Sequence, residues 1–232
     1  MSKGFQFKQF FVAHERSAMK VGTDGVLLGL WAALPTNGAV LDIGAGTGLV
    51  SLMLAQRGET LPLDAVELDS EACAQAQDNV AASPFAGRIT LHQGDINAFV
   101  GGPYRLIVSN PPFFSPDVRS PHAGRDQARH ISALPAPVLA ANCARLGGEE
   151  VAMVLPWQAQ QQWCEPMAEQ GYHLYRRCAV YSVAGKSEPV RALLQWRRQP
   201  GALDCSELVL REPDGRWTAA FRALGRDFYL NF

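Results

Sequence analysis

At 232 residues the chain can bury one sizeable core and stops short of the roughly 250 residues at which cores begin to divide, so a single domain with short additions is expected. A composition of 47% hydrophobic and 19% charged residues describes a soluble globular protein and excludes a disordered or fibrous one. The formal charge of -1 hides an asymmetry: residues 1–20 and 172–198 are basic, whereas residues 41–100 hold eight acids against Arg57 and Arg88. Such ends predict either a surface that attracts a polyanion or the solvated faces of strands and loops.

The longest apolar stretch, Val26 to Leu34, is far short of the roughly 20 residues a membrane span needs. Lysines at positions 3 and 8 interrupt any secretory signal core. Cys73, Cys143, Cys164, Cys178 and Cys205 form no CxxC pair and read as reduced thiols, and the five histidines show no metal-ligand spacing. A cytoplasmic protein without metal, membrane or obligate protein partner is expected.

In chain order, Phe5, Phe7 and Phe10-Phe11-Val12 predict a short strand. Thr23 or Asp24 then caps a helix through Ala33, stopped by Pro35. From Ala39 strands and helices alternate. Strands are predicted at 39–43, 62–67, 88–92, 105–109 and 149–155, with helices from Leu49 to Arg57, over 71–82 behind a Ser70 cap, and from Ile131 to Leu146. This alternation predicts an α/β fold with a mostly parallel sheet covered by helices on both faces and ligands at the carboxyl ends of its strands. Residues 172–183 and 189–198 read as a terminal β-hairpin joined by Ala184 to Ser187, followed by a weaker strand at 207–211, a Pro213-Asp214-Gly215 turn and an amphipathic helix from near Trp217. Residues 1–38 form an N-terminal extension on a core domain of 39–232.

Val40-Leu41-Asp42-Ile43 runs into Gly44-Ala45-Gly46-Thr47-Gly48 and then a helix, a loop whose backbone can approach a ligand. The dinucleotide fingerprint would need Gly or Ala at position 49, and Leu49 stands there. The acid followed by G-x-G-x-G resembles motif I of the class I methyltransferases that bind S-adenosylmethionine. Asp42 at the strand end suits a cationic amino group. Glu67 ends the next strand, where its carboxylate can accept both ribose hydroxyls, and Leu68 follows it into the same cofactor set. By the same resemblance Asp95, in Gly94-Asp95-Ile96, accepts from the adenine amino group and Ile96 supplies a backbone donor.

Ser109-Asn110-Pro111-Pro112-Phe113-Phe114 leaves the fourth strand of the alternating series. Two consecutive prolines stiffen the turn and hold Asn110 out of the helical region. The Asn110 side-chain oxygen and the Pro111 carbonyl can then accept hydrogen bonds from an exocyclic or amide NH2, and Phe113 can stack on a planar base. An Asx-Pro turn with two core aromatics is the bland alternative.

With these residues the chain resembles the NPPF/Y amino-methyltransferases and, within them, the bacterial tRNA1(Val) adenine-N6 methyltransferases. Phe7 to Phe10, Met19 to Gly29, Ala128-Arg129-His130 and Asp227 to Leu230 carry the narrower resemblance. It implies a class I, Rossmann-like fold with a seven-stranded sheet, and S-adenosylmethionine as cofactor. Lys20, Thr23 and Asp24 would lie near its methionine end. Arg119, Arg125, Arg129 and His130, with Phe114, become candidates for contact with the tRNA substrate.

The implied reaction is methylation of the N6 of an adenine in the anticodon loop of tRNA. Rival readings are another NPPF/Y enzyme acting on rRNA, DNA or protein glutamine, and a non-catalytic RNA-binding protein of the same fold. Leu49 disfavours an oxidoreductase.

Overall fold

The computed structural model describes residues 3–17, 20–112 and 134–232. The N-terminal aromatics form two strands instead of one, β1 (Gly4–Gln6) and β2 (Phe11–Ala13), paired antiparallel. The turn between them holds no glycine or proline. It closes through Phe7 N–H donating to the Phe10 carbonyl at 2.8 Å, while Gln6 Nε2 donates to both the Phe7 and Phe10 carbonyls.

Next comes α1 (Thr23–Trp31), and its cap differs from the expectation: Gly22 is the N-cap residue and neither Thr23 nor Asp24 caps through its side chain. Asp24 is drawn instead to Arg191, whose Nε donates to Oδ1 at 2.8 Å. The alternating series follows as β3 (Val40–Ile43), α2 (Leu49–Arg57), β4 (Leu63–Glu67), α3 (Ser70–Ala81), β5 (Ile89–Gln93) and β6 (Leu106–Ser109). Asp69, not Ser70, caps α3, its Oδ1 accepting the Ala72 N–H at 2.7 Å, because Ser70 already lies inside the helix.

The helix expected over 131–146 is described as α4 (Ala136–Arg145), with Pro135 at its N-cap and residues 131–133 outside the described set. After β7 (Glu150–Pro156) comes a helix the sequence reading did not anticipate, α5 (Gln161–Glu169). It carries Pro166 in its interior, a residue that disfavours helix, and it holds by burying Trp163 and Met167. The chain ends with the hairpin β8 (His173–Val183) and β9 (Arg191–Arg197), then β10 (Asp204–Arg211) and α6 (Ala219–Gly225), which Thr218 caps.

Among the described residues one sheet carries eight strands, not seven, in the order β10-β8-β9-β7-β6-β3-β4-β5. All run parallel except β9. The eighth is β10, added in parallel to the outer edge of β8; its first four residues are exposed and polar, and only Leu208 and Leu210 are buried. The fold is nonetheless the expected α/β class with helices on both faces.

Strand alternation divides the core in two. Leu106, Val108, Val154 and Leu193 face Leu27 of α1, Leu52 of α2 and Phe221 of α6. Leu41, Ile107, Met153 and Trp196 face Leu139 of α4 and Trp163 and Met167 of α5. The N-terminal hairpin joins the first layer through an aromatic cluster in which Phe5 and Phe7 meet Tyr229, and Tyr229 stacks on Phe232. Among the described residues no helix is long and apolar enough to cross a membrane.

Candidate cofactor and catalytic site

Parallel pairing brings the carboxyl ends of β6, β3, β4 and β5 into line. Ser109 sits opposite Ile43, Ile43 opposite Val66, and Glu67 opposite Gln93. The next residue on each strand, Asn110, Gly44, Leu68 and Gly94, therefore lies on one rim. Backbone bonds sew the rim together: Gly44 and Ala45 N–H groups donate to the Val66 carbonyl, and Gly94 N–H donates to the Glu67 carbonyl. The buried Ser109 hydroxyl donates to the Ile43 carbonyl at 2.9 Å and ties the exit of β6 to that of β3.

Gly44, Gly46 and Gly48 take φ of 75°, 56° and 77°, the left-handed region that side chains avoid. A Cβ placed on Gly44, Gly46 or Gly94 would meet nothing within 4 Å, so the loop presents bare backbone to open space. Leu68, 46% exposed, stands beside it as an uncovered apolar side chain.

Two acids anchor this rim in different ways. Glu67 is half-buried and spans the loop: Oε2 accepts the Gly46 N–H at 2.7 Å and Oε1 the Asp69 N–H at 2.9 Å. Each carboxylate oxygen keeps a second lone pair for a hydroxyl. Asp42, 1% exposed, lies behind the loop, where Oδ2 accepts both the backbone N–H and the hydroxyl of Ser51, at 3.1 and 2.7 Å. Ser51 is in the first turn of α2, whose N-cap Gly48 has no side chain, so a strand residue supplies the missing cap. Burial pushes the Asp42 carboxyl up to about 6 despite the two bonds from Ser51, and the neighbouring Glu67 charge adds to the rise.

The other expected residues divide. Asp95 is exposed and accepts from the backbone and side chain of Asn97, while the Ile96 side chain is buried and its carbonyl accepts from Arg145. Thr23 and Asp24 reach the loop indirectly, because a Cβ on Gly25 would sit 3.1 Å from Leu49, which places the start of α1 against the start of α2. Lys20 is exposed before that helix. Pro111 is buried and Pro112 half-buried, consistent with a stiff exit after Asn110. Phe113, Phe114, Arg119, Arg125, Arg129 and His130 lie outside the described residues.

The sequence reading missed Ser51 and Ser109, which hold the site through single side-chain bonds, and Asp69, which holds Glu67 through its backbone N–H. Ser51, in the first turn after the glycine loop, and Asp69, a capping residue type just before α3, carried local signals, and Ser109 carried none. Among the described residues no cluster of three or more His, Cys, Asp or Glu is placed to hold a metal ion.

A methyltransferase small domain model matches residues 17–128. The tRNA1(Val) (adenine(37)-N6)-methyltransferase of Cronobacter sakazakii is 48% identical, covering 98% of this chain and 95% of its own length. The chain belongs to this methyltransferase family. The Escherichia coli member is 44% identical over the same shares of both chains. Among solved structures, Atu636 of Agrobacterium tumefaciens, described as a predicted O-methyltransferase, matches with a TM-score of 0.65 at 15% identity over 88% of this chain and 96% of that one. The glycopeptide N-methyltransferase MtfA complexed with (S)-adenosyl-L-methionine matches at 0.52 and 15% identity over 72% and 90%. At those identities the likeness is one of fold.

Proposed function

We propose that this protein transfers a methyl group from S-adenosylmethionine to the N6 of an adenine in the anticodon loop of tRNA, adenine 37 of tRNA1(Val) by the names its relatives carry. The observation that carries the reading is the pairing of β3 with β6, which sets the open glycine loop and the Asn110-Pro111 exit side by side. Gly44, Gly46, Glu67, Leu68, Asp95 and Ile96 would hold the cofactor, whose bare-backbone cradle, carboxylate and exposed leucine fit an adenosine with a ribose diol. Lys20, Thr23 and Asp24 extend that set toward the methionine end. When bound, it supplies an electrophilic methyl on a sulfonium.

The chain's own part is positioning. The Asn110 side-chain oxygen and the Pro111 carbonyl accept hydrogen bonds from the adenine amino group and aim its lone pair, so alignment and electrostatics act without a strong base. Phe113 offers a face on which the base stacks, and Arg119, Arg125, Arg129 and His130 with Phe114 offer contacts to RNA. The target must be unpaired or easily unstacked to reach this exit, as a base in an anticodon loop is. Such a substrate places the work in the cytoplasm.

Incubation of tRNA with the protein and labelled S-adenosylmethionine, followed by nucleoside mass analysis, tests the reading. Label is expected in N6-methyladenosine and lost when the target adenine is changed to guanosine. Label in N2-methylguanosine, in DNA or in a protein glutamine would keep the enzyme class and refute the substrate.

A further inference from the structure

Asn79 is a polar residue in the last turns of α3, only 4% exposed, and its amide binds two segments remote in sequence. Oδ1 accepts the Ala13 N–H at 3.0 Å, while Nδ2 donates to the Ala13 carbonyl and to the Thr47 carbonyl, both at 2.9 Å. Ala13 ends β2, and Thr47, 5% exposed, belongs to the glycine loop. One turn earlier on α3, Gln75 Oε1 accepts the Arg16 N–H at 3.3 Å, and the Arg16 guanidinium pairs with Asp78. α3 therefore carries a polar strip on which residues 13–16 are docked. The same arm leads to Asp24, held by Arg191, and to Gly25, packed on Leu49 at the other side of the loop.

Asparagine is a poor helix former, and burying an amide is costly unless its bonds are made. A purely structural contact at this place could be apolar, as it is at Ala76 and Val80 on the same helix, both buried. What an amide adds is direction, since it fixes a carbonyl of the glycine loop and both polar groups of Ala13 with one planar group.

We propose that Asn79 is a positioning residue for the cofactor, coupling the N-terminal arm to the glycine loop so that the arm becomes a wall of the cofactor site and orders with it. This rests on the S-adenosylmethionine reading of the rim. Asn79 touches no reacting atom. It acts through Thr47 and Ala13, so its loss weakens cofactor binding and leaves the chemical step alone.

The test compares wild type, Asn79→Ala, Asp24→Asn and the double variant by calorimetry with S-adenosylhomocysteine and by steady-state kinetics on tRNA, with thermal unfolding as a check of folding. Asn79→Ala is expected to raise the Kd for the product and the KM for S-adenosylmethionine about tenfold, the scale of a lost buried hydrogen bond, with kcat and the KM for tRNA within about twofold. In the double variant the effect of Asp24→Asn should shrink, because the arm that carries it is no longer tied to the glycine loop. Equal losses in kcat and affinity, or strictly additive variants, would reduce Asn79 to a packing residue and overturn the proposal.

Hydrogen exchange on the wild type decides the matter even if Asn79→Ala fails to fold. The product should protect residues 10–17 together with 44–48, and protection confined to the loop would overturn the coupling. A wild type that does not bind the product fails the cofactor reading itself, which is a different result.

Discussion

The carboxyl ends of β3, β4 and β5 and the β7–β10 half of the sheet use charge in different ways. At the first, Glu67 is bonded to backbone N–H groups of loops whose outer side is open, while at the opposite end of the same strands Arg88 lies over Phe85 and donates to the Gly58 and Ala55 carbonyls. In the half built from β7, β8, β9 and β10 the charged groups are arginines laid on aromatic rings: Arg176 over Trp31, Arg177 over Trp157, Arg197 over Tyr175 and Arg198 over Tyr172. Arg198 also donates to the Gly148 and Gln170 carbonyls, and Arg176 to Gln195. The carboxyl ends keep polar groups facing a ligand space, whereas the β7–β10 half turns them into internal fastening. The guanidinium groups of residues 172–198 are held in place by contacts within the fold, but among the described residues only Arg191 is ion-paired, so rings and carbonyls orient the other positive charges without cancelling them.

That contrast makes specific claims. Glu67→Ala should damage ligand binding more than stability, weakening S-adenosylhomocysteine by about 2–4 kcal/mol in calorimetry through the loss of a charge-assisted pair, with a smaller loss of stability from the freed Gly46 and Asp69 N–H groups. Normal binding by the folded variant would remove the first half of the comparison.

Asp42 sharpens it through pH. Its carboxyl titrates at about 6 in the folded protein and near 4 in the unfolded chain, so between those values the folded state retains a proton the unfolded state has lost. This group therefore favours folding most at about pH 4 and below, and its contribution falls as pH rises to about 6, by about 2–3 kcal/mol in total. Denaturant unfolding of wild type and Asp42→Asn across that range should show the difference between them changing by that amount. Parallel curves would mean that Ser51 and solvent already compensate the buried charge.

In the other half, Arg198→Ala should cost about 1–2 kcal/mol of unfolding free energy through its ring contact and carbonyl bonds, with cofactor affinity unchanged. Arg197→Ala, over Tyr175 and bonded to the Gln199 carbonyl, should cost about 0.5–1 kcal/mol. A loss of tRNA affinity from either variant with stability intact would show these guanidinium groups serving RNA, and would break the comparison.

Most of the alternating core and the rim were legible because they rest on local signals: apolar runs of strand length, a glycine loop after one of them, an acid at the end of the next, and two prolines after Asn110. What escaped was decided at a distance or between near-equivalent neighbours. Asp69 and Ser70 are both good caps, and only the backbone path decides between them. Asp24 caps helices well, yet Arg191, 167 residues away, takes its carboxylate. The N-terminal hairpin was hidden by a turn without glycine or proline, and of β10 only the second half, read as a weaker strand at 207–211, was legible, because its polar first half becomes strand by pairing with the edge that β8 offers. Asn79 gave no signal at all, since its partners Ala13 and Thr47 contribute backbone atoms that any sequence possesses.

The central claim is that the rim divides its labour, with the glycine loop and Glu67 binding and the Asn110 exit performing the alignment for transfer. The direct test is the single-turnover rate of methyl transfer to tRNA by Asn110→Ala, measured beside its affinity for S-adenosylhomocysteine. The account predicts a rate lower by about 100-fold or more, as when a positioned polar group is lost from a transition state, with affinity within about twofold of wild type. A folded Asn110→Ala protein that transfers at a near-normal rate, or one that loses cofactor affinity in proportion to rate, would contradict it.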